Sequence, residues 1–363
     1  MSPLPAPIWL LTARKGNAAA WALATLNEKV RALGRTLRRQ HPQSEATETR
    51  LELQATGPFT RAGLGQIARI LDDARIDHDV RLDASCDGHC ALSLPSFTVN
   101  PFGLVRALAA EAERRGALIC EHTKVASVVQ DGAGARVTLS SGGVITARTA
   151  VICTNAYTDA LSLPQGARRA KVIRNYMLAT APLDAAMRRR LGDERRFVVE
   201  LNKSYVFFRL HQGRMVYGGI ESFTEAGGSD FAVPDKIRQG LEALMRASLG
   251  TASPAIEHAW SGRYHSTLTE MPIIGRHPRA PAIVMNVGYG GTGVALTQVF
   301  SERAAALALG QTQTDPDAAR LGQILHETRL PIGGLMSFGC GVARQLLLGG
   351  GATDPRSQSS SVH

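Results

Sequence analysis

Six residues, Gly288-Tyr289-Gly290-Gly291-Thr292-Gly293, constrain this chain more than any other stretch. They stand between an apolar run at 282–287, which reads as a strand, and a helical pattern over 294–309. Gly288, Gly290 and Gly293 match GxGxxG. Bare backbone at a helix N-terminus suits an anionic ligand, because the N–H groups are reachable and the helix dipole adds positive potential. A strand, glycine turn and helix in that order belong to α/β folds that hold dinucleotides. A full Rossmann unit continues into a second strand ending in an acid that holds the ribose. Here the helix runs into GQTQTDPDAARLGQIL, which offers no apolar strand. The turn is therefore not the primary pyrophosphate site.

The rest of the chain has two textures. Residues 20–40 place Leu23, Leu26, Val30, Leu33 and Leu37 on one helical stripe. Residues 51–55 alternate like a strand, 64–71 read as a second helix, and a loop-rich stretch follows to Val99. Asn100-Pro101 opens a helix over 102–115 that Gly116 ends. Strands are expected at 117–120, 125–130, 136–140 and 144–153, with turns at Asp131-Gly132 and Gly142-Gly143. Between 169 and 259 the period changes. Strands at 172–180, 196–200, 205–210 and 214–219 follow one another on short turns, with one helix over 234–249. Such strands imply an antiparallel sheet, hence a separate lobe.

Composition excludes several classes. A chain of 363 residues that is 44% hydrophobic can bury a full core. The formal charge of +10 comes mostly from scattered arginines, and aromatics make up only 5%, so no basic stripe carries stacking platforms for nucleic acid. Cys86, Cys90, Cys120, Cys153 and Cys340 form no CxxC pair. Cys120 and Cys153 lie in apolar runs and are expected as core thiols. Cys86 and Cys90 flank Asp87-Gly88-His89 without a second ligand cluster, so no metal is expected. The odd thiol count and the absence of a signal-peptide pattern point to the cytoplasm. The apolar run near the N-terminus is too short to span a bilayer.

Five segments in order resemble the D-amino acid oxidase superfamily of FAD-dependent oxidoreductases. They are NPFGLVRALAAEAERRGALICEHTKV, AVICTNAYTDAL, YVFFRLHQGRMVYGG, AWSGRYHSTLTEMPIIGRHP and IVMNVGYGGTGVAL. The flavour is that of the gamma-glutamylputrescine oxidoreductase-like branch, through Thr154-Asn155-Ala156-Tyr157. The resemblance implies an α/β fold class: an incomplete Rossmann-like FAD-binding domain (95–165 plus 256–330) with an inserted, mainly antiparallel substrate domain (45–94 plus 166–255). Residues 350–363 are expected as a disordered tail. It implies that Val125 meets the adenine side of FAD through its backbone, and that Thr154, Asn155 and Ala156 pass near the diphosphate and ribityl chain. Gly262 and Arg263 would approach the flavin ring, and the turn Gly288, Tyr289, Gly290, Gly291, Thr292 and Gly293 would aim its helix at the pyrimidine end. Tyr205, Arg209 and His265 are the candidates on the substrate side. No cysteine lies between Ser261 and Thr267, where some relatives attach flavin, so the FAD would be non-covalent. The implied reaction is hydride transfer from a small amine or amino acid to flavin, giving an imine.

The family's opening strand, its GxGxxG and the acid that follows are not found in this sequence. Three accounts stand beside one another: a shortened gene product, a non-catalytic remnant, or a chain completed by a separate subunit. An NAD(P)-linked dehydrogenase using Gly288–Gly293 is the alternative activity, disfavoured by the missing ribose acid.

Overall fold

The computed structural model describes residues 17–56, 58–82, 89–164, 170–201, 206–222, 231–250, 254–267, 272–311 and 320. In chain order the elements are α1 (Asn17–Gln40), β1 (Thr47–Thr56), α2 (Pro58–Asp73), β2 (Asp79–Leu82), β3 (His89–Thr98), α3 (Pro101–Arg114), β4 (Val125–Asp131), β5 (Gly134–Leu139), β6 (Val144–Ala147) and β7 (Ala150–Ile152). There follow β8 (Ala170–Thr180), α4 (Ala185–Leu191), β9 (Arg196–Glu200), β10 (Val206–His211), β11 (Arg214–Ser222), α5 (Asp235–Leu249), β12 (Ile256–Thr267), β13 (Ile273–His277), β14 (Ala280–Val287) and α6 (Gly293–Leu309).

One large sheet runs β12-β8-β11-β10-β9-β1-β3-β2. All its pairs are antiparallel except β1 with β9. Strand alternation divides its apolar residues between two faces. On one face Leu51, Leu53, Leu92, Leu94 and Val199 pack against Leu64, Ile67 and Leu71 of α2. On the other, Tyr176, Leu178, Phe208, Met215 and Tyr217 pack against Leu241, Met245 and Leu249 of α5. Each such side chain contributes about 1.5–3 kcal/mol by leaving water, so the sheet is the mechanical base of the molecule.

A polar tie also crosses this sheet. Arg196 donates to Glu52 through Nε (2.7 Å) and Nη2 (2.6 Å), and Gln54 Nε2 adds a third bond at 2.6 Å. Burial alone would push the Glu52 carboxyl up, but these bonds and the Arg196 charge hold it below the usual carboxylate range. A folded-state value below the unfolded one stabilises the fold above about pH 4.3, and that contribution is lost as pH falls through the folded value. Glu52→Gln is expected to cost about 2 kcal/mol at neutral pH. The deficit should shrink on acidification, as read by denaturant unfolding across pH.

Two three-stranded sheets complete the structure, β13-β14-β7 and β4-β5-β6. In the first, β14 runs parallel to β7, with Ile283, Val284 and Met285 opposite Ala150, Val151 and Ile152. Val128, Ile152, Leu161, Ile283 and Val287 join the two sheets in one apolar cluster. Leu296 and Phe300 of α6 pack with Leu26 of α1 and with Tyr289. The helix starting at Asn100 is present, its Oδ1 accepting from Gly103 N at 3.1 Å.

The structure departs from the sequence reading in five places. The stretch read as loop before Val99 contains β2 and the ten-residue β3. Pro95 and three polar positions interrupt its apolar pattern, yet Leu92 and Leu94 face α2, and β2 pairs only with Cys90–Ser93, leaving Pro95 on an edge. Residues 117–120 form no strand. Leu118 and Ile119 are 88% and 41% exposed, because no neighbouring strand meets them among the described residues. The run 144–153 breaks into β6 and β7, which belong to different sheets. The twelve-residue β12 was not foreseen as a strand. Cys120 and Cys153 are exposed thiols rather than core ones, since each lies where the apolar run leaves the packed layer.

Candidate functional site

The C-terminal ends of β7 and β14 and the end of β12 converge on one place. Parallel strands bring β7 and β14 to the same edge of their sheet, so the turns that follow them are neighbours. After β7, Thr154 leads into a 3₁₀ turn, Asn155–Ala160, held by Thr158 Oγ1 donating to Asn155 O at 2.7 Å. Asn155 takes a positive φ of 38° and its Oδ1 accepts from Gly288 N at 3.1 Å, which pins the two turns together. The large sheet joins them through a single antiparallel bridge between Ser266 and Tyr289.

Gly288 has φ +82°, and a Cβ there would lie 2.8 Å from Thr267 Cγ2. No other residue fits that position without strain. Thr292 Oγ1 donates to Tyr289 O at 3.0 Å and does not cap α6, whose first N–H groups have no side-chain cap. Beside them, Gly291 has no heavy atom within 4 Å of where a Cβ would stand, and the same holds at Gly262 on β12. Open space over two glycines and an uncapped helix N-terminus make a cradle for a flat, electron-rich group.

The side chains around it are fixed. Arg263 lies over the Tyr157 ring at 5.6 Å from its centroid. Tyr289 is buried, and its hydroxyl donates to Asn286 Oδ1, while Asn286 Nδ2 reaches Cys153 Sγ at 3.6 Å. Burial, with Cys153 adding to it, pushes the Tyr289 phenol well above its ordinary value, so it stays a neutral donor. What Tyr289 offers the cradle is therefore backbone.

Of the residues singled out in the sequence, Thr154, Asn155, Ala156, Gly262, Arg263 and Gly288–Gly293 come together here. Val125 stands apart at the start of β4, opposite Leu139. His265 shares β12 but is 0% exposed. Arg209 sits on β10 opposite Val216, two rows along the strands from Gly262. Its Nε donates to Leu210 O at 3.2 Å, and burial lowers its pKa, with Glu194 opposing. Tyr205 lies outside the described residues. The sequence reading passed over Tyr264, whose hydroxyl donates to Glu221 at 2.6 Å beside Gly262; the Gly218-Gly219 pair just before Glu221 was the available signal of irregular backbone.

The model of one protein family, described as FAD dependent oxidoreductase (DAO), matches residues 18–307. The chain belongs to the DAO family. Among curated relatives, it is 31% identical to a probable oxidoreductase OrdL of Rhizobium meliloti over 218 residues, 59% of this chain and 48% of that protein. It is 28% identical to a glycine oxidase of Bacillus licheniformis over 217 residues, 58% of this chain and 54% of that one. The chain thus spans about half the length of the curated relatives it matches. The crystal structure of glycine oxidase from Geobacillus kaustophilus superposes with a TM-score of 0.64 at 18% identity, covering 81% of this chain and 80% of the other. That likeness establishes the DAO fold: a Rossmann-like cofactor sheet joined to a large sheet domain.

The residues present fit the flavin end of FAD. Gly262 and Gly291 leave room for a ring, and the α6 terminus supplies N–H groups. Among the described residues, no second glycine turn follows a parallel strand to receive the pyrophosphate. No helix of the described residues is long and apolar enough to cross a membrane.

Proposed function

We propose that the protein is an FAD-dependent oxidoreductase that oxidises a small amine or amino acid to an imine. The single observation that carries this reading is the cradle itself: space over Gly262 and Gly291 beside the uncapped start of α6, in a chain of the DAO family. FAD, when bound, supplies the hydride acceptor. In this reading Gly288–Gly293 and the α6 terminus hold the pyrimidine end of the flavin, where the helix dipole favours gathering negative charge. Thr154, Asn155 and Ala156 line the path of the ribityl chain, Gly262 and Arg263 flank the ring, and the backbone of Val125 meets the adenine. The large sheet orients the amine and keeps water away, so no acid–base triad is required. Binding is non-covalent.

The reading includes a completing partner and a cytoplasmic setting. The free edge of β7, with Val151 38% exposed, and the apolar, exposed Leu118 and Ile119 favour a further strand-bearing unit that pairs there and holds the pyrophosphate. Cys90, Cys120 and Cys153 are free thiols, which favours a reducing compartment. The test is anaerobic mixing of the FAD-loaded chain, alone and with any co-purifying partner, with a panel of amines and amino acids. Bleaching of the flavin band by one of them is expected. Bleaching by NADH and by no amine would replace the proposal with the dehydrogenase reading.

A further inference from the structure

An irregularity in β11 turns a carboxylate onto the open face of the large sheet. Directly opposed residues of an antiparallel pair share a face. Gly218 on β11 stands opposite Met177 on β8 and Phe207 on β10, and Met177 stands opposite Trp260 on β12. These residues therefore share the face turned away from α5. Simple alternation would place Ile220 on that face next and Glu221 on the other. Instead the register shifts between Gly219 and Glu221, with Ile220 at φ 53°. A β-branched residue at positive φ is an outlier, and such strain gathers at functional sites. The bulge re-aims Glu221 so that it stands opposite Asn175, which in turn stands opposite Gly262.

Glu221, Asn175 and Gly262 thus form one row, and Tyr264 donates to Glu221 at 2.6 Å. The adjoining row is apolar. Met177 and Phe207 meet over Gly218, where a Cβ would lie 2.2 and 2.6 Å from them, and Trp260 continues the wall. Asn175, Met177, Phe207, Trp260, Glu221 and Tyr264 are all half-buried, so the face remains reachable. Cations are distant on this face: Lys171 and Arg209 each lie two rows from Glu221, about 13 Å along the strands, whereas Arg174 and Arg263 belong to the other face.

We infer that Glu221, held by Tyr264, is the ammonium anchor of the substrate site. The preferred substrate class is an alkylamine whose apolar arm lies over Trp260, Met177 and Phe207. An α-amino acid is disfavoured, because its carboxylate would be forced beside Glu221 with no cation at hand. This inference rests on the reading that flavin lies over Gly262, and it narrows that reading from amines and amino acids to alkylamines.

The experiment is calorimetric titration of the full chain, with and without FAD, using n-butylamine and glycine as probes. The unaltered chain should bind n-butylamine at least tenfold more tightly than glycine. Glu221→Gln should weaken n-butylamine at least tenfold, Tyr264→Phe should weaken it less, and neither should alter retention of FAD. Glycine binding as well as n-butylamine, no n-butylamine binding, or undiminished binding by Glu221→Gln would each overturn the inference. If Glu221→Gln fails to fold, Tyr264→Phe and the comparison of the two probes on the unaltered chain still decide. A chain that never holds FAD sinks the oxidoreductase reading, and the titration without FAD judges the anchor separately.

Discussion

Gly288→Ala is expected to destabilise the protein by about 3 kcal/mol and to abolish retention of FAD. Two independent costs add. Holding a side chain at φ +82° costs about 1–2 kcal/mol, and a Cβ 2.8 Å from Thr267 Cγ2 adds an overpacking cost of about 1–3 kcal/mol. Neither neighbour can yield freely. Gly288 N is tied to Asn155 Oδ1, and Thr267 ends the strand whose Ser266 bridges Tyr289. Thr267→Ser removes the offending methyl and keeps the hydroxyl. The double variant should therefore recover the overpacking part and leave the backbone part. Chemical denaturation of the four proteins in that cycle checks the partition, and exact additivity would show that the clash is not the cause.

Gly262→Leu should do the reverse. Nothing lies within 4 Å of the position a Cβ would take, so the fold has room for the larger residue. Glycine within a strand is itself unfavourable, and stability should hold within about 0.5 kcal/mol of the unaltered protein or rise slightly. A leucine there fills the cradle, however, and FAD affinity should fall at least a hundredfold. A variant that unfolds at the same denaturant concentration yet stays colourless would separate the site from the scaffold. One that holds FAD as well as before would move the ring elsewhere.

These two glycines also mark how far local pattern reaches. The glycine turn was legible because β14, the turn and α6 are consecutive and each is set by its own short stretch of sequence. Likewise Asn100 announced α3 through a capping interaction only three residues long. What escaped depends on partners far along the chain. Residues 117–120 have the composition of a strand, but strands exist only as pairs, and none is paired with them here. β3 was hidden by Pro95 and its serines, although its register with β1 runs unbroken from Thr47↔Thr98 to Thr56↔His89. The site suffered more than the fold. Whether Arg209 or Glu221 shares a row with Gly262 depends on the registry of four strands and one bulge. Alternation along β11 alone would have turned Glu221 to the wrong side.

The most direct test of the central claim is the visible absorbance of the purified chain after incubation with FAD and desalting. The account predicts a flavin spectrum that survives desalting, alone or with a completing partner, and that is lost in Gly262→Leu. A chain that folds cooperatively, is colourless under both conditions and ignores added FAD would contradict it.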